Sequence, residues 1–172
     1  MPIVVSDTSC MIDLRKVGLL EELLQLPYTF VMPDVLFEDE WLCLTERKKA
    51  ALCEKGLEVT ELSSETVEKA SQHFNRHASL ALNDCFALAL AEETEDCILL
   101  TGDGHLRQVA QCSGIQTRGV LWAIDELEIH QVVEIRILHD ALEIFHDDDT
   151  IFLPMNEVVQ RLRRLSRVLR ER

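Results

Sequence analysis

The sequence predicts an α/β domain, a parallel sheet with helices on both faces, followed by a helical segment. Three observations carry this. Short apolar runs such as Ile3-Val4-Val5, Phe30-Val31-Met32 and Ile98-Leu99-Leu100 alternate with helical patterns from residue 1 to 117. These runs lack a polar alternation, as expected of strands covered on both faces. Beyond Val120 the strand signals stop and helical spacing continues to the end.

Residues 2 to 6 give the first strand. After the turn Asp7-Thr8-Ser9, the residues Met11, Leu14, Val17, Leu20, Leu23 and Leu24 recur at helical spacing and predict one helix. Tyr28 to Met32 is the second strand, and Pro33 fits the first turn of a helix running to about Cys53. Gly56 closes that helix and Leu57 to Leu62 form a third strand. Ser63-Ser64-Glu65 reads as an N-cap with an acid in the first turn, opening a helix over 65 to 75. Asn83 or Asp84 opens a helix through Glu93 that is apolar nearly all round, hence packed deep against the sheet. Cys97 to Thr101 is a strand, Gly102-Asp103-Gly104 a tight turn, and His105 to Cys112 a helix. Ile115 to Thr117 is an edge strand. Helices are expected over 120–128, 134–145 and 156–172, with an acidic turn at Asp147-Asp148-Asp149.

At 172 residues the chain suits one domain with a sizeable core. No apolar stretch reaches the roughly 18 residues of a membrane span, and the start lacks a secretory signal, so a cytoplasmic protein is expected. Six cysteines (Cys10, Cys43, Cys53, Cys85, Cys97, Cys112) are scattered singly without a CxxC pair, which predicts reduced thiols and no structural zinc. The net charge of −14 argues against a broadly basic nucleic-acid surface. It hides an asymmetry, because residues 157–172 carry six Arg against two Glu, +4, leaving −18 for residues 1–156. Val158, Val159, Leu162, Leu165, Val168 and Leu169 form the apolar stripe of that last helix. Arg161, Arg163, Arg164, Arg167 and Arg170 cluster around the rest. They can balance the acidic body, contact RNA or dock an acidic partner.

Carboxylates stand where strands end: Asp7 after the first, Glu38 shortly after the second, Asp103 after the fourth, with Asp84 opening the buried helix. In a parallel sheet these positions share one edge. Taken singly, each acid suits a cap or turn. Together, with no Lys or Arg beside Asp7, Asp84 or Asp103 up to Leu106, they repel one another unless a cation intervenes. A hard divalent ion such as Mg²⁺ or Mn²⁺ takes oxygen ligands and suits phosphodiester hydrolysis. Thr8, Ser9 and Thr101 add hydroxyls that either orient water and phosphate or complete turns. His73 and His77 lie i, i+4 without a third local ligand and read as a surface face, and Asp147–Asp149 as a solvated turn. His105 is open between substrate contact and a helix start.

The segments Val4-Val5-Ser6-Asp7-Thr8-Ser9, Pro33-Asp34-Val35-Leu36-Phe37-Glu38, Asn83-Asp84-Cys85-Phe86-Ala87-Leu88-Ala89 and Leu99-Leu100-Thr101-Gly102-Asp103-Gly104-His105-Leu106-Arg107 together resemble the PIN domain. The resemblance spans about residues 2 to 120. It implies a Rossmann-like three-layer α/β/α fold with a mostly parallel central sheet, and metal-dependent cleavage of RNA, commonly single-stranded. It divides the chain into a nuclease domain over 1–120 and a helical extension over 121–172 packed on the same domain. The implied catalytic and metal-binding quartet is Asp7, Glu38, Asp84 and Asp103. The family pattern sets an acid about five residues after the proline, which selects Glu38 over Asp39 and Glu40. A toxin of a toxin–antitoxin pair, with an antitoxin partner and a homodimer, is the subtype this resemblance permits, although the extension beyond Val120 exceeds that of compact toxins. Two other readings stay open. One is a catalytically weak RNA- or protein-binding scaffold. The other is an aspartate-dependent phosphatase, which expects an acid two residues after its nucleophile where this chain has Ser9.

Overall fold

The computed structural model describes residues 1–42 and 44–171. Cys43 and Arg172, which the sequence reading included among the thiols and in the last helix, lie outside them. Five strands form a single parallel sheet in the order β3-β2-β1-β4-β5, with β1 Ile3–Ser6, β2 Thr29–Pro33, β3 Leu57–Thr60, β4 Ile98–Leu100 and β5 Gln116–Arg118. Val4, Val5, Leu99 and Leu100 have no exposed surface, so both faces of the central strands are covered.

The ten helices among the described residues are α1 Thr8–Lys16, α2 Leu20–Leu23, α3 Asp34–Asp39, α4 Glu46–Glu54, α5 Ser64–Arg76, α6 Leu82–Glu93, α7 Gly104–Cys112, α8 Val120–Ile129, α9 Ile135–Asp147 and α10 Met155–Arg170. The Ala- and Leu-rich α6 lies over β1, β2 and β4 and packs between α5 and α7, while α1 and α2 pack with α8. The result is a three-layer α/β domain of the expected class. The later helices share the same core, since Leu138, Phe145, Val158 and Leu165 belong to one buried cluster with the sheet residues.

Two helices expected to be continuous are divided. Gly18 adopts φ +73°, a left-handed conformation open to glycine, and separates α1 from α2. The helix expected over 33–53 stops at Asp39 and restarts at Glu46, where Thr45 accepts the Lys48 amide at 3.3 Å as an N-cap. Ser63 caps α5 as the sequence suggests, accepting the Thr66 amide at 3.1 Å. The five described cysteines are free thiols. No helix among the described residues is long and apolar enough to cross a membrane.

Candidate active site

The chain leaves β1 for β2 on one side and enters β4 on the other, so the strand order reverses between β1 and β4. A crevice opens at such a point beyond the carboxyl ends of the strands. Ser6 pairs with Leu100 there, and the Asp7 amide donates to the Leu100 carbonyl at 3.1 Å. The residues just past both strands, Asp7 and Thr101 through Asp103, are thereby held side by side.

Asp7 is the N-cap of α1 and is only 4 % exposed. Its Oδ1 accepts from the Ser9 amide at 3.0 Å and the Ser9 hydroxyl at 2.6 Å, and its Oδ2 accepts from the Thr101 hydroxyl. Thr101 Oγ1 in turn accepts the Asp103 amide at 3.0 Å, and Ser9 Oγ accepts the Gly102 amide at 2.8 Å. The two hydroxyls thus tie the β1 and β4 turns into one network. Asp103 caps α7 by accepting the Leu106 amide at 2.7 Å, and Asp84 closes the first turn of α6 by accepting the Ala81 amide at 2.8 Å. All three acids therefore serve as caps. Three helix N-termini, each with positive dipole character, accompany them.

Capping leaves part of each group uncommitted. Among the described residues, Asp84 Oδ1 and Asp103 Oδ2 accept no hydrogen bond, and none of the three acids forms an ion pair with Lys, Arg or His. Burial pushes the Asp7 carboxyl up to about 6, the Ser9 and Thr101 hydrogen bonds oppose the rise, and the charge of Asp84 adds to it. Burial likewise raises Asp84, against the Ala81 amide, and the charge of Asp103 raises it further. A hard cation suits this donor set, since it would neutralise charges that the protein leaves uncompensated.

The segment expected to supply the fourth acid places its three carboxylates in different surroundings. Glu38 turns away to Lys49, with Oε2 3.3 Å from Nζ and a side chain 66 % exposed. Asp39 is exposed. Glu40, half-buried, accepts from Asn83 Nδ2 at 2.7 Å, and its carboxyl is raised by burial, against that bond, with the charges of Asp84 and Asp39 adding. Glu40 continues the helical geometry of α3, its amide donating to the Leu36 carbonyl at 3.1 Å, so the different surroundings of Glu38 and Glu40 come from their contacts with Lys49 and Asn83.

Other residues singled out in the sequence have local explanations. His73 Nε2 donates to the Glu92 carboxylate at 2.9 Å, and its ring stacks on His77 at 5.9 Å between centroids. Asp148 accepts from the Thr150 amide and hydroxyl at 2.8 and 2.5 Å and completes a turn. Arg161 makes a bidentate pair with Asp125 at 2.8 and 2.6 Å, and Arg164 with Glu128 at 2.5 and 2.6 Å. Arg163, Arg167 and Arg170 line a separate groove with His139, His146 and Glu143. Thr8, beside Asp7, is buried in the first turn of α1.

A family model described as the PIN domain matches residues 3–167. The chain belongs to the PIN domain family. A search of curated proteins found no match. PIN domains are generally nucleases and typically use divalent metal ions. The match runs through α8 and α9 and most of α10. In this PIN domain, the group of His, Asp and Glu side chains whose potential ligand atoms all lie within 4.8 Å of one another among the described residues is His139, Asp140 and Glu143 on α9. Its two acids are exposed, and it takes no part in the carboxyl edge of the sheet.

Proposed function

We propose that the protein is an endoribonuclease that hydrolyses phosphodiester bonds of single-stranded RNA with Mg²⁺ or Mn²⁺. The observation that carries this reading is the placement of Asp7, Asp84 and Asp103 in the N-terminal turns of α1, α6 and α7, with Asp7 and Asp103 joined through Ser9, Thr101 and Gly102 where the strand order reverses between β1 and β4. In this account Asp7, Asp84 and Asp103 hold the cation. The fourth acid comes from the Glu38–Glu40 segment, where the contact with Asn83 favours Glu40.

Each residue has a definable task. Ser9 and Thr101 fix the Asp7 carboxylate by donating to both of its oxygens, so that its position is set before substrate arrives. Asp84 Oδ1 and Asp103 Oδ2 are left to meet the cation or to accept a proton from the attacking water. The N-termini of α1, α6 and α7 offset the negative charge of an approaching phosphate. When bound, the divalent ion supplies charge neutralisation at the phosphate and promotes attack by water. Phosphatase chemistry is less well supported, because Ser9 at the position of the second acid donates to Asp7 and offers no acid group.

The subtype is a further part of the proposal. A toxin role would add an antitoxin that covers the acids and a cytoplasmic homodimer. Incubation of mixed single-stranded RNA with Mn²⁺ tests the core of the reading. Cleavage by the wild type should fall on the order of 100-fold or more in Asp7→Asn and Asp103→Asn. Intact RNA with the wild type under every divalent metal, or equal cleavage by the variants, overturns it.

A further inference from the structure

A cleft of about 430 Å³ opens beside the carboxylates, between α7, β5, the start of α8 and the loop joining α9 to α10. Gly102, whose amide donates to Ser9 Oγ at 2.8 Å, belongs both to this cleft and to the Asp7 network, so the cleft borders that network. We propose that the cleft seats a nucleotide flanking the scissile phosphate of single-stranded RNA, with Arg107 and Arg118 facing the backbone and Phe152 stacking on the base. This rests on the ribonuclease reading above.

Charge is the first argument. The chain is strongly acidic, and an RNA strand needs local cations to reach the carboxylates. Arg107 and Arg118 both line the cleft, and neither pairs with a carboxylate among the described residues. Arg107 Nη2 donates to the Thr101 carbonyl at 3.0 Å, its Nε is buried without a partner, and Arg118 Nη1 donates to the Thr117 carbonyl at 3.0 Å. The acids in the same wall, Asp125 and Glu157, share Arg161 at 2.6 and 3.5 Å. Three Arg against two acids leave the lining a net +1, and Arg107 and Arg118 are the cations in it without a carboxylate partner.

Backbone shape is the second argument. A Cβ at Gly119 would lie 2.8 Å from Arg107 Nη2, so the guanidinium rests flush against bare backbone and is held at the cleft floor next to Thr101. The aromatic is the third. Phe152 is 90 % exposed, although Ile151 before it is buried and Leu153 after it packs on the core. A ring displayed between two anchored neighbours at the mouth of a cationic cleft is suited to stack on an unpaired base.

The test uses the full-length Asp7→Asn protein, which separates binding from cleavage, and a fluorescein-labelled 12-nucleotide single-stranded RNA followed by anisotropy. Adding Phe152→Ala should weaken binding about tenfold, and Phe152→Tyr should restore it. Arg118→Ala should lower the slope of log affinity against log salt by about 0.7, the value for one phosphate contact on a single strand. Unchanged affinity and salt slope in these variants overturn the proposal. If RNA is cleaved by the wild type while those variants bind normally, the cleft assignment falls and the nuclease reading stands. If the variants lose affinity as expected but no metal supports cleavage, the nuclease reading falls and the cleft stands as an RNA-binding surface. A protein that binds no RNA contradicts both.

Discussion

Asp7 has two functions that conflict energetically. As the N-cap of α1 it accepts three hydrogen bonds, yet burial and Asp84 hold its carboxyl near 6, well above the ordinary value of 3.8. The same tension extends to Glu40, whose carboxyl is raised beside Asp84, whereas Glu38 is matched by Lys49. Removing charge at the two glutamates should therefore have unequal effects. Glu40→Gln should reduce RNA cleavage at least about tenfold, while Glu38→Gln should change it less than about threefold, measured as kcat/KM on one oligonucleotide. The reverse order would return the fourth position to Glu38. The places of Asp7, Asp84 and Asp103 in the fold were legible from sequence because each follows a strand or opens a helix, positions fixed by local pattern. The surroundings of the acids at 38–40 were not legible, because they depend on contacts with Lys49 and Asn83, 11 and 43 residues away in the chain.

At the scale of elements, the strands were legible because β1, β2 and β4 are buried on both faces and hence uninterrupted in apolar character. The break between α3 and α4 was not, since its cause is a cap at Thr45 rather than a glycine or proline. The role of α10 also depends on contacts that its own pattern cannot display. Its arginines were candidates for RNA or a partner, but Arg161 and Arg164 are committed to Asp125 and Glu128 of α8. Packing, more than these ion pairs, holds the helix. Leu165 has no exposed surface, so Leu165→Ala should cost about 2–5 kcal/mol, whereas Arg161→Ala should cost about 1 kcal/mol. Urea unfolding of the full chain checks both. A single transition for Leu165→Ala is expected, because α10 shares one core with the sheet. Separate loss of the terminal helices would contradict that.

For the whole molecule, the acidic edge makes stability depend on pH and on metal. The folded Asp7 carboxyl titrates near 6 and its unfolded counterpart near 3.8. The folded state thus holds the proton more tightly, and stability falls as pH rises between about 4 and about 6. Above that window the ionised group costs about 3 kcal/mol without a cation. The fold tolerates this cost at the point where the proposed chemistry needs uncompensated carboxylates. Thermal unfolding at pH 7.5 of the wild type and Asp7→Asn, each with and without Mn²⁺, tests this most directly. Without metal, Asp7→Asn should melt above the wild type. Saturating Mn²⁺ at about 100 times its Kd should raise the wild type by roughly 5–10 °C and leave Asp7→Asn nearly unmoved. A wild type that does not respond to Mn²⁺, or an equal rise in both proteins, would contradict a metal site built on these carboxylates.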